Sequence, residues 1–144
     1  MSLKRKQNIN NIIRYFFVGQ WIVLSIIIFY LSHQNTIIIL PQSILEYDKL
    51  LHFIAYFIYG LSTLTMLFFV KKNDKKLILI GLIVSILFAI SDEVHQYYVP
   101  DRIMDIYDLI ADLLGILFSI LFFNLILKNR LLHILNFGQR QDRI

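Results

Sequence analysis

Three stretches of the sequence carry ionisable side chains at intervals of three or four residues. They contain Asp48, His52 and Tyr56, then Asp92, Glu93 and Gln96, then Asp101, Asp105, Asp108 and Asp112. Residues three or four apart share one face of a helix, so each stretch predicts one polar stripe. Carboxylates and imidazoles arranged in this way can move protons or coordinate a divalent ion. Together with a nearby Lys or Arg they can also hold a phosphate-bearing ligand.

The composition places these stripes in a membrane protein. The chain has 144 residues, enough for one domain; 58% are hydrophobic and 17% charged, and the mean hydropathy is +0.66. Soluble domains have about 25% charged residues, and one of this size could not cover so much apolar surface. We therefore exclude a soluble globular enzyme and a disordered chain. The absence of cysteine excludes a disulfide scaffold and a Cys-ligated metal site.

Four apolar runs predict membrane-spanning helices. The expected spans are residues 14–32, 50–70, 77–99 and 105–127, between a basic N-terminus (1–13) and a basic tail (128–144). A bilayer core about 30 Å thick takes about 20 helical residues, and the runs lack the alternation of membrane β-strands. The predicted fold class is an all-α, integral membrane four-helix bundle. The first span is expected to be an uncleaved signal anchor.

The charges separate between the two sides of such a bundle. Twelve of the 14 Lys and Arg residues lie before the first span, between the second and third, or after the fourth. By the positive-inside rule these segments, and so both termini, are cytoplasmic. Lys49 and Arg102 fall outside together with eight of the ten acids. The basic residues thus indicate topology and contact with the lipid bilayer, and no nucleic-acid partner is expected.

Counting along the helices brings the polar groups to similar depths. Asp92 is 16 residues from Lys76 and Asp112 is 16 from Lys128, so both lie about 24 Å above the inner charges. Tyr56 and Tyr30 fall in the same layer by the same count. A carboxylate that faced lipid would cost several kcal/mol, so the stripes are expected to face one another. This predicts an acidic polar pocket in the outer half of the bundle, open to the outside.

The same stretches carry a family resemblance. Residues 48–56 (DKLLHFIAY) and 91–115 (SDEVHQYYVPDRIMDIYDLIADLLG) resemble the motifs of the VanZ-like family of bacterial membrane proteins, and Ser32 with Gln34 also fits its pattern. The matching positions are Asp48, Lys49, His52, Tyr56, Asp92, Glu93, Gln96, Pro100, Arg102, Asp108 and Gly115.

Two positions depart from the family pattern, although the resemblance covers about residues 15–127. Asp101 stands where the family has the Gly of Pro-Gly-Arg, and Asp112 stands where it has Asn, which adds a potential charge to the pocket. The resemblance implies a multi-pass protein of the bacterial cytoplasmic membrane. It also implies a relation to a protein linked to teicoplanin resistance.

Three interpretations of the pocket remain open from the sequence. In the first, it binds or modifies a lipid-linked envelope component, with Asp92, Glu93 and His52 as catalytic candidates. The residues expected to bind the substrate are Lys49, Arg102, Gln96, Asp108, Asp48, Tyr56 and Asp112.

In the second interpretation the acids hold a divalent metal. Known ligand spacings such as HExxH are absent, and Glu93 and His95 point in different directions on one helix. The sequence therefore assigns no metal ligands, and it does not identify a cofactor. In the third, the polar network is structural and the protein is a non-catalytic scaffold that contacts other membrane proteins. Gly115 is predicted to be a helix-packing contact in every case.

Overall fold

The computed structural model describes residues 3–34, 48–71, 76–100, 102 and 104–131, which form four helices. They are α1 (Leu3–Ser32), α2 (Asp48–Lys71), α3 (Leu77–Tyr97) and α4 (Ile106–Phe122). A π-helical segment, Phe123–Leu127, continues α4, and helix then extends to residue 131. The described residues contain no β-strand, so the predicted all-α four-helix architecture is confirmed.

All four helices have the length and apolarity of membrane spans. The candidate spans are Gln7–Ser32, Asp48–Lys71, Leu77–Tyr97 and Ile106–Leu131. The first helix starts well before the expected residue 14, because no Gly or Pro interrupts helical propensity before Gly19. Its first turns carry the polar and basic residues that precede the apolar run.

The start of α4 is fixed by a capping interaction. The Asp105 side chain accepts a hydrogen bond of 2.9 Å from the backbone N–H of Tyr107. An aspartate at this position satisfies a donor that the first helical turn leaves unpaired. The cap sets where α4 begins, and therefore the depth of Asp108 and Asp112 on it.

Helix α2 contacts the other three helices and packs most extensively on α4. At their crossing, a Cβ added to Gly115 would overlap the carbonyl oxygen of Phe53 and lie 2.8 Å from the backbone nitrogen of Phe57. Farther along, a Cβ added to Gly60 of α2 would overlap the side chain of Ser119 on α4. Small residues four apart allow two helix backbones to approach in this way. The prediction that Gly115 is a helix-packing contact is confirmed.

Helix α1 is the least enclosed of the four. Only 6% of its most apolar window is buried, against a third or more for the others. The Trp21 indole N–H donates a 3.0 Å hydrogen bond to the Thr63 hydroxyl of α2. Phe17 stacks on Phe69 with ring centroids 4.4 Å apart. These contacts attach one face of α1, and its remaining apolar side chains are available to lipid.

The bundle has an acidic end and a basic end. The acidic end holds Asp48, Lys49, Asp92, Glu93, Arg102, Asp105, Asp108 and Asp112; the basic end holds Arg14, Lys71, Lys76, Lys128 and Arg130. At the basic end the Arg14 guanidinium donates to the carbonyl of Val70 over 3.3 Å. Other residues of the charge argument, among them Glu46, Lys72 and Asp101, lie outside the described residues. Which end faces the cytoplasm stays a prediction.

Candidate functional site

Lys49 forms a bridge between α2 and the beginning of α4. Its ammonium Nζ lies 2.6 Å from Asp105 Oδ2 and 2.6 Å from Asp108 Oδ1. Asp48 Oδ2 lies farther away, at 3.6 Å. The hydrogen bond from Lys49 holds the pKa of the partly exposed Asp105 carboxyl below its ordinary value. The positive charge of Lys49 is therefore already matched by carboxylates of the chain itself.

One turn deeper, His52 joins the same two helices. Its Nδ1 lies 3.0 Å from Asp112 Oδ1, while its Nε2 lies 3.9 Å from Asp48 Oδ1 and 4.0 Å from Asp108 Oδ2. An ionised carboxylate only accepts hydrogen bonds, so the contact to Asp112 puts the proton on Nδ1. The lone pair of a neutral ring is then on Nε2, on the side of Asp48 and Asp108.

Around His52, buried side chains from three helices form what we call the polar cluster. Its members are His52, Tyr56, Asp92, Glu93, Asp108 and Asp112, and all of them except the half-buried His52 are buried. The Asp92 carboxylate lies beside the hydroxyls of Tyr56 and of Ser32, so α1 also reaches the cluster through its last residue. Gln96, one turn from Asp92 and Glu93, is buried as well.

Several oxygens of the polar cluster lack a hydrogen-bond partner. Both carboxylate oxygens of Glu93, Oδ1 of Asp92 and Oδ2 of Asp112 are buried and unpaired, as is the Tyr56 hydroxyl. Buried polar groups are normally satisfied, and each exception calls for an explanation. Glu93 is the clearest exception, because the whole residue is only 1% exposed.

Arg102 is the second basic residue predicted to bind substrate. It is half-buried, and its terminal Nη2 donates a long hydrogen bond of 3.5 Å to the carbonyl of Ser32. Its Nε is buried and has no partner. In contrast to Lys49, Arg102 forms no ion pair with another described residue.

Each predicted site residue falls at the acidic end, but their arrangement differs from an open pocket. Asp48 and Lys49 are partly exposed at the rim, whereas Asp92, Glu93, Gln96, Asp108 and Asp112 are enclosed. Tyr30, counted in the same layer, is 61% exposed on the surface of α1. A residue count gives the depth of a side chain along a helix, but it does not give the side of the helix on which that side chain lies. Tyr30 and Tyr56 therefore share a depth by count although Tyr30 lies on the surface. The opening of the cluster to the outside stays a prediction.

Sequence reasoning missed the contacts of three residues at the acidic end. Asp105 is partly solvated, and it also caps α4 and pairs with Lys49. The sequence does contain a pattern that predicts the cap, because an Asp just before an apolar run, followed three residues later by an acidic residue, is typical of a helix N-cap. The rings of His33 and His95 also meet, with His33 Nδ1 3.2 Å from His95 Nε2. No spacing rule joins residues that are so far apart in the sequence.

Two sets of side chains have the geometry to hold a metal ion. Asp48, His52 and Asp108 form one set, and His52, Glu93 and Asp112 form the other; within each, one ligand atom per residue lies within 4.8 Å of the others. In the first set the Lys49 ammonium already lies against Asp108. The second set has no such internal cation among the described residues.

The fold and the cluster define a class: a multi-pass helical membrane protein with buried ionisable side chains between its helices. The sequence model of the VanZ/LLP1 family matches residues 2–127. The match covers most of the chain, which therefore belongs to the VanZ/LLP1 family. Comparison with curated proteins and with solved structures gave no match.

Proposed function

We propose that this VanZ-like membrane protein binds or modifies a lipid-linked component of the cell envelope at its polar cluster. The observation that carries the proposal is the buried Glu93 carboxylate with both oxygens unpaired. A network that served only to join helices would be expected to satisfy its carboxylates, because an unsatisfied buried charge costs stability. An unpaired group next to an oriented histidine is typical of a site that acts on a ligand.

His52 and Asp112 supply the elements of a proton-transfer pair. The contact of 3.0 Å from Nδ1 to Asp112 orients the imidazole and favours the form with a lone pair on Nε2. His52 then acts as the general base or acid, and Asp92 and Glu93 are the further candidates for proton transfer. Tyr56 and Gln96 contribute hydrogen-bonding groups from the enclosed side.

The anionic part of the ligand is assigned to Arg102. Lys49 was the other candidate, but its ammonium is held by Asp105 and Asp108. Arg102 retains an unpaired donor, Nε, in a half-buried position at the acidic end. A guanidinium binds phosphate through two parallel hydrogen bonds, so we expect a lipid phosphate to bind beside Arg102. The entrance to the polar cluster is then lined by Lys49, Asp48 and Asp108.

Native mass spectrometry of the purified full chain tests binding. We expect a polyprenyl phosphate to be retained in preference to phosphatidylcholine, and Arg102→Gln to abolish that preference. Arg14→Gln, at the basic end, is the matched control and should retain it. Equal retention of the two lipids by the wild-type chain would contradict the proposal.

Substitutions in the cluster test whether the site acts on its ligand. Asp92→Asn, Glu93→Gln and His52→Ala are compared for teicoplanin susceptibility of a sensitive bacterial host, with membrane expression as the control. We propose that the wild-type chain raises the inhibitory concentration, and that each variant loses this effect at normal expression. Full function in all three variants would exclude both a catalytic and a binding role for the cluster.

A non-catalytic scaffold is the second candidate, and one observation favours it. Lys49 and His52 both join α2 to α4 through carboxylates, so part of the polar network fixes the bundle. Under this alternative the three substitutions lower membrane expression together with function, and no lipid phosphate is preferred.

We also propose that the acidic end faces away from the cytoplasm of a bacterial cell, with both termini inside. The support is the charge separation between the two ends of the bundle. A phosphatase reporter that is active only outside the cytoplasm is fused to the C-terminus, with a fusion after Gln34 as the positive control. Activity of the C-terminal fusion would overturn the orientation.

A further inference from the structure

Three buried carboxylates of the polar cluster lack a compensating cation. Asp92, Glu93 and Asp112 are at most 2% exposed, and no Lys or Arg of the described part of the chain forms an ion pair with any of them. Among the described residues, His52 contacts this group through Asp112. Burying several carboxylates without positive charge is costly, so the arrangement requires either protons or a bound cation.

The arrangement of donors favours a cation. Glu93 from α3, His52 from α2 and Asp112 from α4 each place one ligand atom within 4.8 Å of the others. Metal–ligand bonds of about 2.1 Å would be reached if each ligand moved inward by less than about 1 Å. Glu93 supplies an independent indication, because both of its buried oxygens are unpaired and one of them belongs to this set.

We propose that Glu93, Asp112 and His52 hold one divalent transition-metal ion, such as Zn²⁺ or Mn²⁺, between three helices. One imidazole nitrogen and two carboxylates suit these ions better than Ca²⁺ or Mg²⁺, which take oxygen ligands alone. The neighbouring set of Asp48, His52 and Asp108 is not chosen, because Lys49 already provides positive charge 2.6 Å from Asp108. The ion would replace the proton on the His52 nitrogen that faces Asp112, so His52 would be a ligand in the metal-bound protein and Asp92 would remain the candidate for proton transfer. Lipid binding beside Arg102 is a separate question.

Sequence spacing could not show this set. Its three ligands come from three helices, and no two lie on the same helix. The pair considered from the sequence, Glu93 and His95, diverges on α3, and His95 instead contacts His33. The ion would also explain how α2, α3 and α4 meet around carboxylates that otherwise repel one another.

The test uses the full chain, purified in detergent with any tag removed and stripped with a chelator. It is equilibrated with Zn²⁺ alone, and the bound metal is counted by elemental mass spectrometry. We expect one ion per wild-type chain. Glu93→Gln and Asp112→Asn should weaken binding by at least about tenfold. The Asn side chain can still accept the hydrogen bond from His52, so Asp112→Asn keeps the helix contact while it removes the charge.

Two control variants show whether a loss of metal binding is specific to the three proposed ligands. Asp105→Asn removes a carboxylate at the same end but retains a good helix cap, and it should bind one ion with unchanged affinity. His33→Ala removes the exposed histidine pair and should also bind one ion. In a second measurement, paramagnetic resonance of bound Mn²⁺ should show coupling to one imidazole nitrogen in the wild-type chain.

Several outcomes would overturn the cation site. If the wild-type chain binds neither Zn²⁺ nor Mn²⁺ stoichiometrically, the cation site is disproved without any variant. The buried carboxylates would then be neutralised by protons. Loss of binding in Asp48→Asn with retention in Glu93→Gln would locate the ion at the rim instead. Because no lipid is present in this assay, its failure leaves the lipid-binding test of the proposed function unaffected.

Discussion

The ammonium of Lys49 lies 2.6 Å from Oδ1 of Asp108, a buried carboxylate on a different helix. The contact links the first turn of α2 to the first turn of α4 at the acidic end. A basic residue that the sequence offered for phosphate binding is thus engaged by the protein itself. Asp108 in turn acquires the counter-charge that its burial requires.

Removal of the Lys49 charge should destabilise the bundle through Asp108. We expect Lys49→Gln to lower the free energy of unfolding by roughly 1–3 kcal/mol, because a buried carboxylate loses its partner while half of the Lys49 side chain is solvated. The double variant Lys49→Gln/Asp108→Asn should recover much of this loss. Unfolding in mixed detergent micelles measures both, and equal losses in single and double variants would show that the contact contributes little.

Acid should weaken the rim of the acidic end through Asp105. Its pKa in the folded protein is lowered by Lys49, so its stabilising contribution is present above the unfolded pKa of about 4. That contribution is lost as the pH falls through the lower folded pKa. We expect Asp105→Asn to flatten the pH dependence of the melting temperature below about pH 4. An unchanged profile in the variant would contradict the pairing.

The crossing of α2 and α4 should not tolerate a side chain at Gly115. An added methyl group meets the backbone of Phe53 and Phe57, which cannot move without shifting α2. We expect Gly115→Ala to cost about 1–3 kcal/mol of stability. Gly19→Ala on α1 is the matched control, since no atom lies within 4 Å of its added Cβ. Equal melting temperatures for the two variants would disprove the close approach.

The attachment of α1 should depend on the hydrogen bond from Trp21 to Thr63. Thr63→Val keeps the shape of the buried side chain but leaves the indole N–H without its partner. We expect a loss of about 0.5–2 kcal/mol, the range of hydrogen bonds between membrane helices. Thr65→Val is the matched control, because the Thr65 hydroxyl donates to the carbonyl of Leu61 within its own helix. A larger effect in the control would assign the stability of α1 to other contacts.

The sequence by itself determined the helices, their membrane character and the end of the bundle at which each charge lies. Hydropathy and helical spacing are local properties, so they placed Asp48 above His52 and Asp108 above Asp112 without knowledge of the other helices. The resemblance to the family motifs pointed independently to the same residues.

Only the tertiary structure decided which side chains of different helices meet. The rotation and depth of each helix depend on packing, above all on the approach of α4 to α2 at Gly115 and Gly60. That packing joins Lys49 to Asp108, leaves Tyr30 at the surface and brings Glu93 to His52 and Asp112. Contacts between helices depend on how all the side chains of two helix faces pack together. The spacing of residues along the sequence does not contain that information.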